Sequence, residues 1–443
     1  MTDMAELKRA LGLWEATACG VGIILGAGIY ALIGKAAGMA GNATWISFVI
    51  AALVAGLSAL SYAELSSIFP KAGAEYVYTK NAFGKKLAFI VGWMIAISGI
   101  IGATTVALGF GGYFEAIVGT PLIIGAVILV ILLSFVIAYG VKEAAFFAII
   151  GTLIEGAGLV IIILVGIPYF GSVDYFEIPS FDGIFAAAAL IFFAYIGFEE
   201  MVRMSEEVKK PERNMPRALI IAIALTTVIY ILVAISVVSV IDFNLLAEST
   251  SPLADVVSVA WSSDAFIIFS IVALFATGNT VLLILMAASR IVYGMADSGA
   301  LPKPLAYVNA SRKTPFGAIA VVGVLTIAFF LLGEIEVVAN LTNFTIFATF
   351  LVINAALIKL RYDKRDIVRP FRVPVNIGWF PVLPFLAILT TLFMMTNVGI
   401  DAAVDGVILI LLGIFAYVLI DKFTRKGVQI GEIKHPKKKK VKI

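Results

Sequence analysis

Twelve apolar runs, separated by short polar stretches, account for most of the chain's 443 residues. A hydrocarbon core ~30 Å thick needs about 20 apolar residues per helix. Runs near that length fall at 13–39, 44–68, 86–114, 121–139, 144–166, 182–204, 216–241, 264–292, 316–332, 337–359, 377–396 and 403–420, the ninth being the shortest. The pattern predicts an all-α polytopic membrane protein of twelve transmembrane helices, one domain over 13–420 between a short N-terminus, 1–12, and a polar tail, 421–443. Two runs contain interruptions. In the first, Gly22, Gly26 and Gly28 crowd the middle, and glycine in a helix interior costs ~1 kcal/mol relative to alanine. Lipid cannot hydrogen-bond exposed backbone, so Gly26-Ala27-Gly28 is a candidate break facing a polar ligand or water. The same glycines also suit a small-residue packing face, since Gly22 and Gly26 lie one turn apart. In the sixth run Gly197 interrupts Phe192-Phe-Ala-Tyr-Ile-Gly-Phe-Glu-Glu200. Runs 1 and 6 open two five-helix halves, and paired interruptions of this kind point to a transporter's binding site.

Composition narrows the class. With 61% hydrophobic and 14% charged residues, the chain is no soluble domain. The N-terminus, MTDMAELKRA, lacks a short apolar core followed by a cleavage site, so the first run itself is expected to insert the chain. One cysteine, Cys19, and one histidine, His435, argue against a disulfide framework, a cysteine or histidine metal cluster and a membrane-embedded enzyme. There is no GxxxxGK[ST] loop of a primary pump. No cofactor and no nucleic-acid partner are expected. With the N-terminus placed in the cytoplasm, the inner segments hold 31 of the 32 Lys and Arg residues and leave only Lys35 outside. Positive residues collect on the cytoplasmic side, so a plasma-membrane protein with both termini inside is expected. The tail, with Lys437 to Lys440 consecutive, reads as an orientation signal, each basic residue offering ~1 kcal/mol toward anionic lipid.

The connecting segments carry their own character. Pro70-Lys-Ala-Gly-Ala-Glu-Tyr-Val-Tyr78 leads into Phe83-Gly84, and the sixth run leaves through Ser205-Glu-Glu-Val-Lys-Lys-Pro-Glu-Arg-Asn-Met-Pro-Arg217. Ala288-Ser-Arg-Ile-Val-Tyr-Gly-Met-Ala296 is followed by Leu301-Pro302 and Thr314-Pro315, and Leu360-Arg361 by Arg369-Pro-Phe-Arg-Val-Pro374. These read as amphipathic turns and proline stops that anchor helix ends with arginine at the interface. Together with Gly26-Ala27-Gly28-Ile29 and the FxYxGFE pattern over Phe193–Glu199, they resemble the amino acid–polyamine–organocation superfamily of amino acid permeases, from about Leu11 to Pro374. The resemblance implies two inverted five-helix repeats, about 13–166 and 182–359, with broken helices 1 and 6. Two peripheral helices, about 377–420, complete it, and access alternates as one bundle moves against a scaffold.

An amino acid brings a carboxylate and an ammonium that must both leave water, at several kcal/mol per ion unless matched. Helix N-termini suit anions, so the N–H groups of Gly26, Ala27, Gly28 and Ile29 are expected to hold the carboxylate. Carbonyls around Phe193, Ala194 and Ile196, at the break beside Gly197, would accept from the ammonium. Similar permeases set the substrate side chain against helices 3, 8 and 10 and cover it with an aromatic at the position of Phe193; Tyr195 and Phe198 read as lipid-facing or core. No charged residue of helices 3, 8 or 10 clearly lines the expected pocket, which favours a neutral amino acid. Glu199 and Glu200 either read a cationic substrate or cap and gate helix 6.

Glu155 sits at the midpoint of the fifth run, where a carboxylate costs at least ~2.5 kcal/mol and usually marks an ion or proton path. Otherwise it is a protonated acid bonded to a neighbouring helix. Many related permeases carry a lysine near here whose ammonium takes the place of a sodium ion. Counting back from Gly166 puts Glu155 at that position, and counting forward from Phe146-Phe147 puts Thr152 there. Candidate partners are the carbonyls of Gly22 and Leu25 and the side chains of Thr277 and Asn279. The expectation is a secondary transporter of amino acids coupled to protons through Glu155. Exchange, sodium coupling or a non-transporting sensor are the alternatives.

Overall fold

The computed structural model describes residues 9–70, 74–297, 299, 301–309, 312 and 314–432, without the side chains of 141–149, 206 and 421–432. The chain's first residues, Lys71 to Gly73, the side chains of Phe146 and Phe147 and the basic tail therefore lie outside the described residues. The helices are α1 Leu13–Ile24, α2 Gly28–Ala40, α3 Thr44–Ile68, α4 Ala74–Phe83, α5 Lys85–Val118, α6 Leu122–Tyr139, α7 Val141–Gly166, α8 Phe181–Ile191 and α9 Phe198–Arg203. They continue as α10 Pro211–Val240, α11 Phe243–Glu248, α12 Pro252–Ala260, α13 Ala265–Asp297, α14 Phe316–Ala328, α15 Ile335–Asp363, α16 Val382–Met395 and α17 Ile400–Glu432. Among the described residues nine stretches are long and apolar enough to cross a membrane, and Leu13–Ile24, Phe316–Leu332 and Val382–Met395 are shorter apolar helices. The chain is thus an all-α, multi-pass membrane protein.

Most expected runs coincide with helices; two are interrupted, and one starts later than expected for a physical reason. The first run is two helices: α1 stops at Ile24 and α2 starts at Gly28. The sixth changes from α8 into a 3-10 turn, Phe192–Tyr195, before α9. The eleventh, expected from 377, starts only at Val382, because Gly378 (φ +62°) and Trp379 turn a small hairpin that pairs Asn376 with Pro381 and Ile377 with Phe380. A two-residue loop with glycine at positive φ is the usual hairpin connection, and Pro381 precedes the helix proper.

Small residues set how closely the helices approach. A Cβ on Gly109 of α5 would stand 2.6 Å from that of Ala31 on α2, and one on Gly125 of α6 would stand 2.7 Å from the Phe114 ring. The outward faces of α6 and α17 are correspondingly apolar and open, with Phe135 and Phe415 exposed, as lipid requires.

At the end of the bundle that carries most of the Lys and Arg (the basic end), Arg361 is fully buried. The expectation of an interfacial anchor is wrong at this position. Its guanidinium grips both oxygens of Glu64 from α3, with Nε at 2.9 Å. The Val373 amide donates to the same carboxylate at 2.8 Å, and Arg369 stands at 3.4 Å. A carboxylate this deep is tolerable because it accepts three hydrogen bonds and faces two guanidinium groups. The pair pins the segment 364–381 to α3 and α15. Removing one partner of such a buried pair costs about 3–5 kcal/mol. Glu64→Ala and Arg361→Ala are each expected to destabilise the purified protein by about that much. The double variant should lose less than the two added together, as a thermal-unfolding double-mutant cycle would measure; simple additivity would show that the pair is not coupled.

Candidate functional site

The two interruptions meet in the middle of the bundle. A Cβ on Gly28 would lie 3.0 Å from both the Ala194 Cα and the Phe193 ring. Reciprocally, Gly197 (φ +125°) faces Ile23, whose carbonyl oxygen and side chain are 3.0 Å from where its Cβ would stand. A side chain at Gly28 would require its neighbours to give way, and at Gly197 the positive φ favours glycine as well. The break and the small-residue packing face, which the sequence leaves as alternatives at Gly28, are here one feature.

Each interruption frees backbone groups, and side chains from other helices take them up. Ala27 N–H donates to Thr280 Oγ1 of α13 at 3.0 Å, and Gly26 N–H turns back to the Ile24 carbonyl at 2.7 Å. Asn343 of α15 gives its amide hydrogens to the carbonyls of Ala189 (2.7 Å) and Leu190 (3.0 Å), in the last turn of α8. The Tyr230 hydroxyl of α10 reaches the Ile24 carbonyl at 2.7 Å and the Ala194 carbonyl at 2.9 Å, bridging the two breaks. Glu199 Oε2 accepts from Gly197 N–H at 3.0 Å, and Glu200 is paired with Arg203, which also contacts Glu75. The two carboxylates of α9 therefore serve the interruption and its anchoring.

Of the four amides expected at the first break, Gly26 and Ala27 are thus engaged within the protein. Gly28 and Ile29 open α2, and no side chain caps that helix. First-turn amides have no acceptor inside their own helix; of Gly28, Ile29 and Tyr30, which open α2, Gly28 lines the central cavity.

Glu155 is buried, and its carboxylate lies beside the first break. Thr280 Oγ1 donates to its Oε1 at 3.0 Å and Asn279 Nδ2 to its Oε2 at 3.5 Å; Asn279 also donates to Thr152 Oγ1 at 3.2 Å. Tyr30 of α2 donates to the Glu155 carbonyl at 2.6 Å. One hydroxyl, Thr280, thus accepts from the break and donates to the carboxylate. Thr277 is not a partner: its hydroxyl bonds the Ala273 carbonyl at 2.7 Å, the usual back-bond of threonine within a helix. Gly22 faces Thr152, its Cβ position 2.9 Å from the Thr152 methyl. Leu25 is buried and donates its own N–H to the Val21 carbonyl; no bond joins Glu155 to either carbonyl among the described contacts.

A cavity of about 440 Å³ joins these parts. Gly22, Gly26, Gly28, Glu155, Phe193, Ala194, Ile196 and Gly197 line it, whereas Ala27, Ile29, Leu25, Thr277 and Asn279 stand behind the wall. The opposite walls come from α5 (Ser98, Gly99, Gly102), α13 (Leu283, Ile284, Ala287) and α15 (Thr342, Ile346, Phe350), and the cavity extends toward Glu75, Arg203 and Arg290 at the basic end. Arg290 is a charged residue of α13 on this lining, contrary to the expectation of none. Phe193 leans over Gly28 and Gly102, whereas Phe198 is packed between Tyr62 and Phe350 with ring centroids 5.7 and 5.2 Å away. Sequence reasoning missed Thr280, Tyr230 and Asn343. Tyr230 and Asn343 carried a signal, since each is a hydrogen-bonding side chain in an apolar run that must find a partner.

Comparison with known proteins identifies the family. The family profile described as amino acid permease matches residues 11–418. The branched-chain amino acid permease BcaP of Bacillus subtilis is 30% identical over 450 residues, covering 96% of this chain and 95% of its own. The methylthioribose transporter of the same organism is 31% identical, with 94% of each chain covered. The mitochondrial cationic amino acid transporter 3 of Arabidopsis thaliana is 31% identical over 84% of this chain and 64% of its own. The chain belongs to the amino acid permease family of the amino acid–polyamine–organocation superfamily, and is a membrane-embedded secondary transporter rather than an enzyme.

Proposed function

We propose that this permease carries a neutral amino acid into the cell by proton-coupled alternating access. The proposed architecture is twelve spans in two inverted five-helix repeats plus two peripheral helices, with both termini cytoplasmic. The carboxylate sits on the amides of Gly28 and Ile29, at the positive end of α2. The ammonium faces the second interruption, where the carbonyls of Phe193, Ala194 and Ile196 are the acceptors and Phe193 covers the ligand. The apolar walls from α5, α13 and α15 suit an uncharged side chain.

The observation that carries the coupling is the chain Ala27 N–H, Thr280 hydroxyl, Glu155 carboxylate. Protonating Glu155 changes what the Thr280 hydroxyl can donate to, and so alters the support of the very turn that presents the substrate amides. A buried carboxylate that is neutral when loaded and ionised when empty suits a group that takes a proton from one side and yields it to the other. Glu155→Gln keeps an acceptor for Thr280 and removes the titration. In proteoliposomes it should retain substrate binding and exchange but lose accumulation driven by a pH gradient. If the variant still concentrates substrate on a proton gradient alone, Glu155 is a structural hydrogen-bonding group. Accumulation by the unaltered protein on a sodium gradient alone would instead favour sodium coupling.

Two substitutions test the substrate contacts. Gly28→Ala should weaken binding about tenfold or more, the scale of a charge-assisted hydrogen bond. Gly26→Ala should stay near normal, because its amide is already engaged and its Cβ would meet Thr280 at an ordinary 3.6 Å. Equal affinities for the two variants in an equilibrium binding assay would refute the assignment.

Phe193→Ala and Phe198→Ala should separate in opposite directions. Phe193→Ala weakens substrate retention with a small effect on stability. Phe198→Ala costs about 3–5 kcal/mol of stability as a core truncation, with affinity preserved in the folded fraction. Thermal unfolding paired with binding distinguishes them, and equal losses of affinity would remove Phe193 from its covering role.

A further inference from the structure

The segment after α15 carries a surface that the transport cycle described above does not use. Residues 361–381 contain five basic residues, Arg361, Lys364, Arg365, Arg369 and Arg372, against Asp363 and Asp366. Three of them surround one indole: the guanidinium carbons of Arg365, Arg369 and Arg372 stand 5.9, 5.9 and 5.4 Å from the Trp379 ring centroid. Arg361 and Arg369 are occupied with Glu64, Arg369 also capping the carbonyls of Leu360 (3.1 Å) and Lys364 (2.9 Å) at the end of α15. Lys364 donates to Asn81 at 2.9 Å. Arg365 and Arg372 are exposed and have no carboxylate partner among the described residues. Beside them large apolar side chains are left open: Val368 is 81% exposed, Ile377 74%, Val375 59% and Trp379 38%.

The geometry points to a binding site for the phosphate headgroup of an anionic phospholipid, formed by Arg365, Arg372 and Trp379 with Val368 and Ile377 against the acyl region. Three features on this segment support it together. It lies between the ends of α15 and α16, both apolar helices, which puts it at the depth where headgroup meets hydrocarbon. Tryptophan and arginine are the side chains suited to that depth, the indole presenting an apolar body with a polar edge. The two guanidinium groups without a carboxylate partner are held at one place by a shared ring, Arg372 also donating to the Gly378 carbonyl at 3.1 Å, which gives the planar fork that phosphate oxygens accept from. A free phosphate in solution would satisfy the arginines but leave Val368 and Ile377 exposed to water, so the lipid is the occupant that covers the whole surface. The buried Glu64 carboxylate, gripping Arg361, Arg369 and the Val373 amide, holds the platform rigid beneath the site.

The test uses the full-length protein reconstituted in nanodiscs of phosphatidylcholine with a rising fraction of phosphatidylglycerol, read by thermal unfolding. The unfolding midpoint should rise with phosphatidylglycerol. The double variant Arg365→Gln/Arg372→Gln should lose at least half of that rise, and Arg365→Lys/Arg372→Lys should recover part of it. Neutralising Lys437 to Lys440 should leave the rise largely in place, and inorganic phosphate added to pure phosphatidylcholine discs should not reproduce it. The proposal is overturned if the double glutamine variant responds like the unaltered protein, or if neutralising the tail alone abolishes the response. A rise with inorganic phosphate equal to that with phosphatidylglycerol overturns the lipid assignment. Transport plays no part in the readout, so the outcome is independent of the proton-coupling reading.

Discussion

Backbone groups released inside a membrane protein have to be satisfied by the protein itself. Each one left bare in hydrocarbon costs several kcal/mol, so two neighbouring interruptions would be ruinous unless other helices served them. Here three side chains do most of that work. Thr280 supports the turn between α1 and α2, Asn343 closes the end of α8, and Tyr230 reaches both. Among the described residues the first amides of α2 are left without a capping side chain, and these are the groups to which the proposed substrate carboxylate is assigned.

The same constraint explains why the glycines stand where they do. Gly28 and Gly197 each face the backbone of the opposite interruption at a distance that would crowd a Cβ, and Gly197 also takes a positive φ. Close approach lets one tyrosine span both breaks and lets the breaks share one cavity. Glu155 enters through the same construction. Its carboxylate accepts from Thr280, whose oxygen accepts from Ala27 N–H, so the proposed coupling between α7 and the turn between α1 and α2 needs no long-range path.

Much of the helix layout was legible in the sequence because lipid makes hydropathy decisive: the second run was read at 44–68, and α3 spans Thr44–Ile68. Gly197 and the region of Gly28 were also legible, since glycines and carboxylates inside an apolar run are costly enough to need a reason. Partner choice across helices was not legible. Thr277 and Thr280 lie less than one turn apart on α13, and only rotation of the helix decides which hydroxyl meets Glu155 and which bonds back to its own carbonyl. The fully buried Arg361 was missed for the opposite reason. Its neighbours look like an interfacial stop, and its partner Glu64 is 297 residues away. The hairpin at 376–381 was hidden because Trp379, Phe380 and Pro381 continue the apolar run that follows.

Tyr230 has a single hydroxyl proton and two carbonyls within reach, at Ile24 and Ala194. A hydroxyl donates that proton once, so the two interruptions are rivals for it. When the proton turns to Ile24, the Ala194 carbonyl keeps both lone pairs for an incoming cation; when it turns to Ala194, the demand shifts to the end of α1. Rotation about one C–O bond decides which of the two carbonyls receives the proton. The two half-helix ends cannot both be fully bonded by Tyr230 at the same instant, so one of them always keeps spare acceptor capacity.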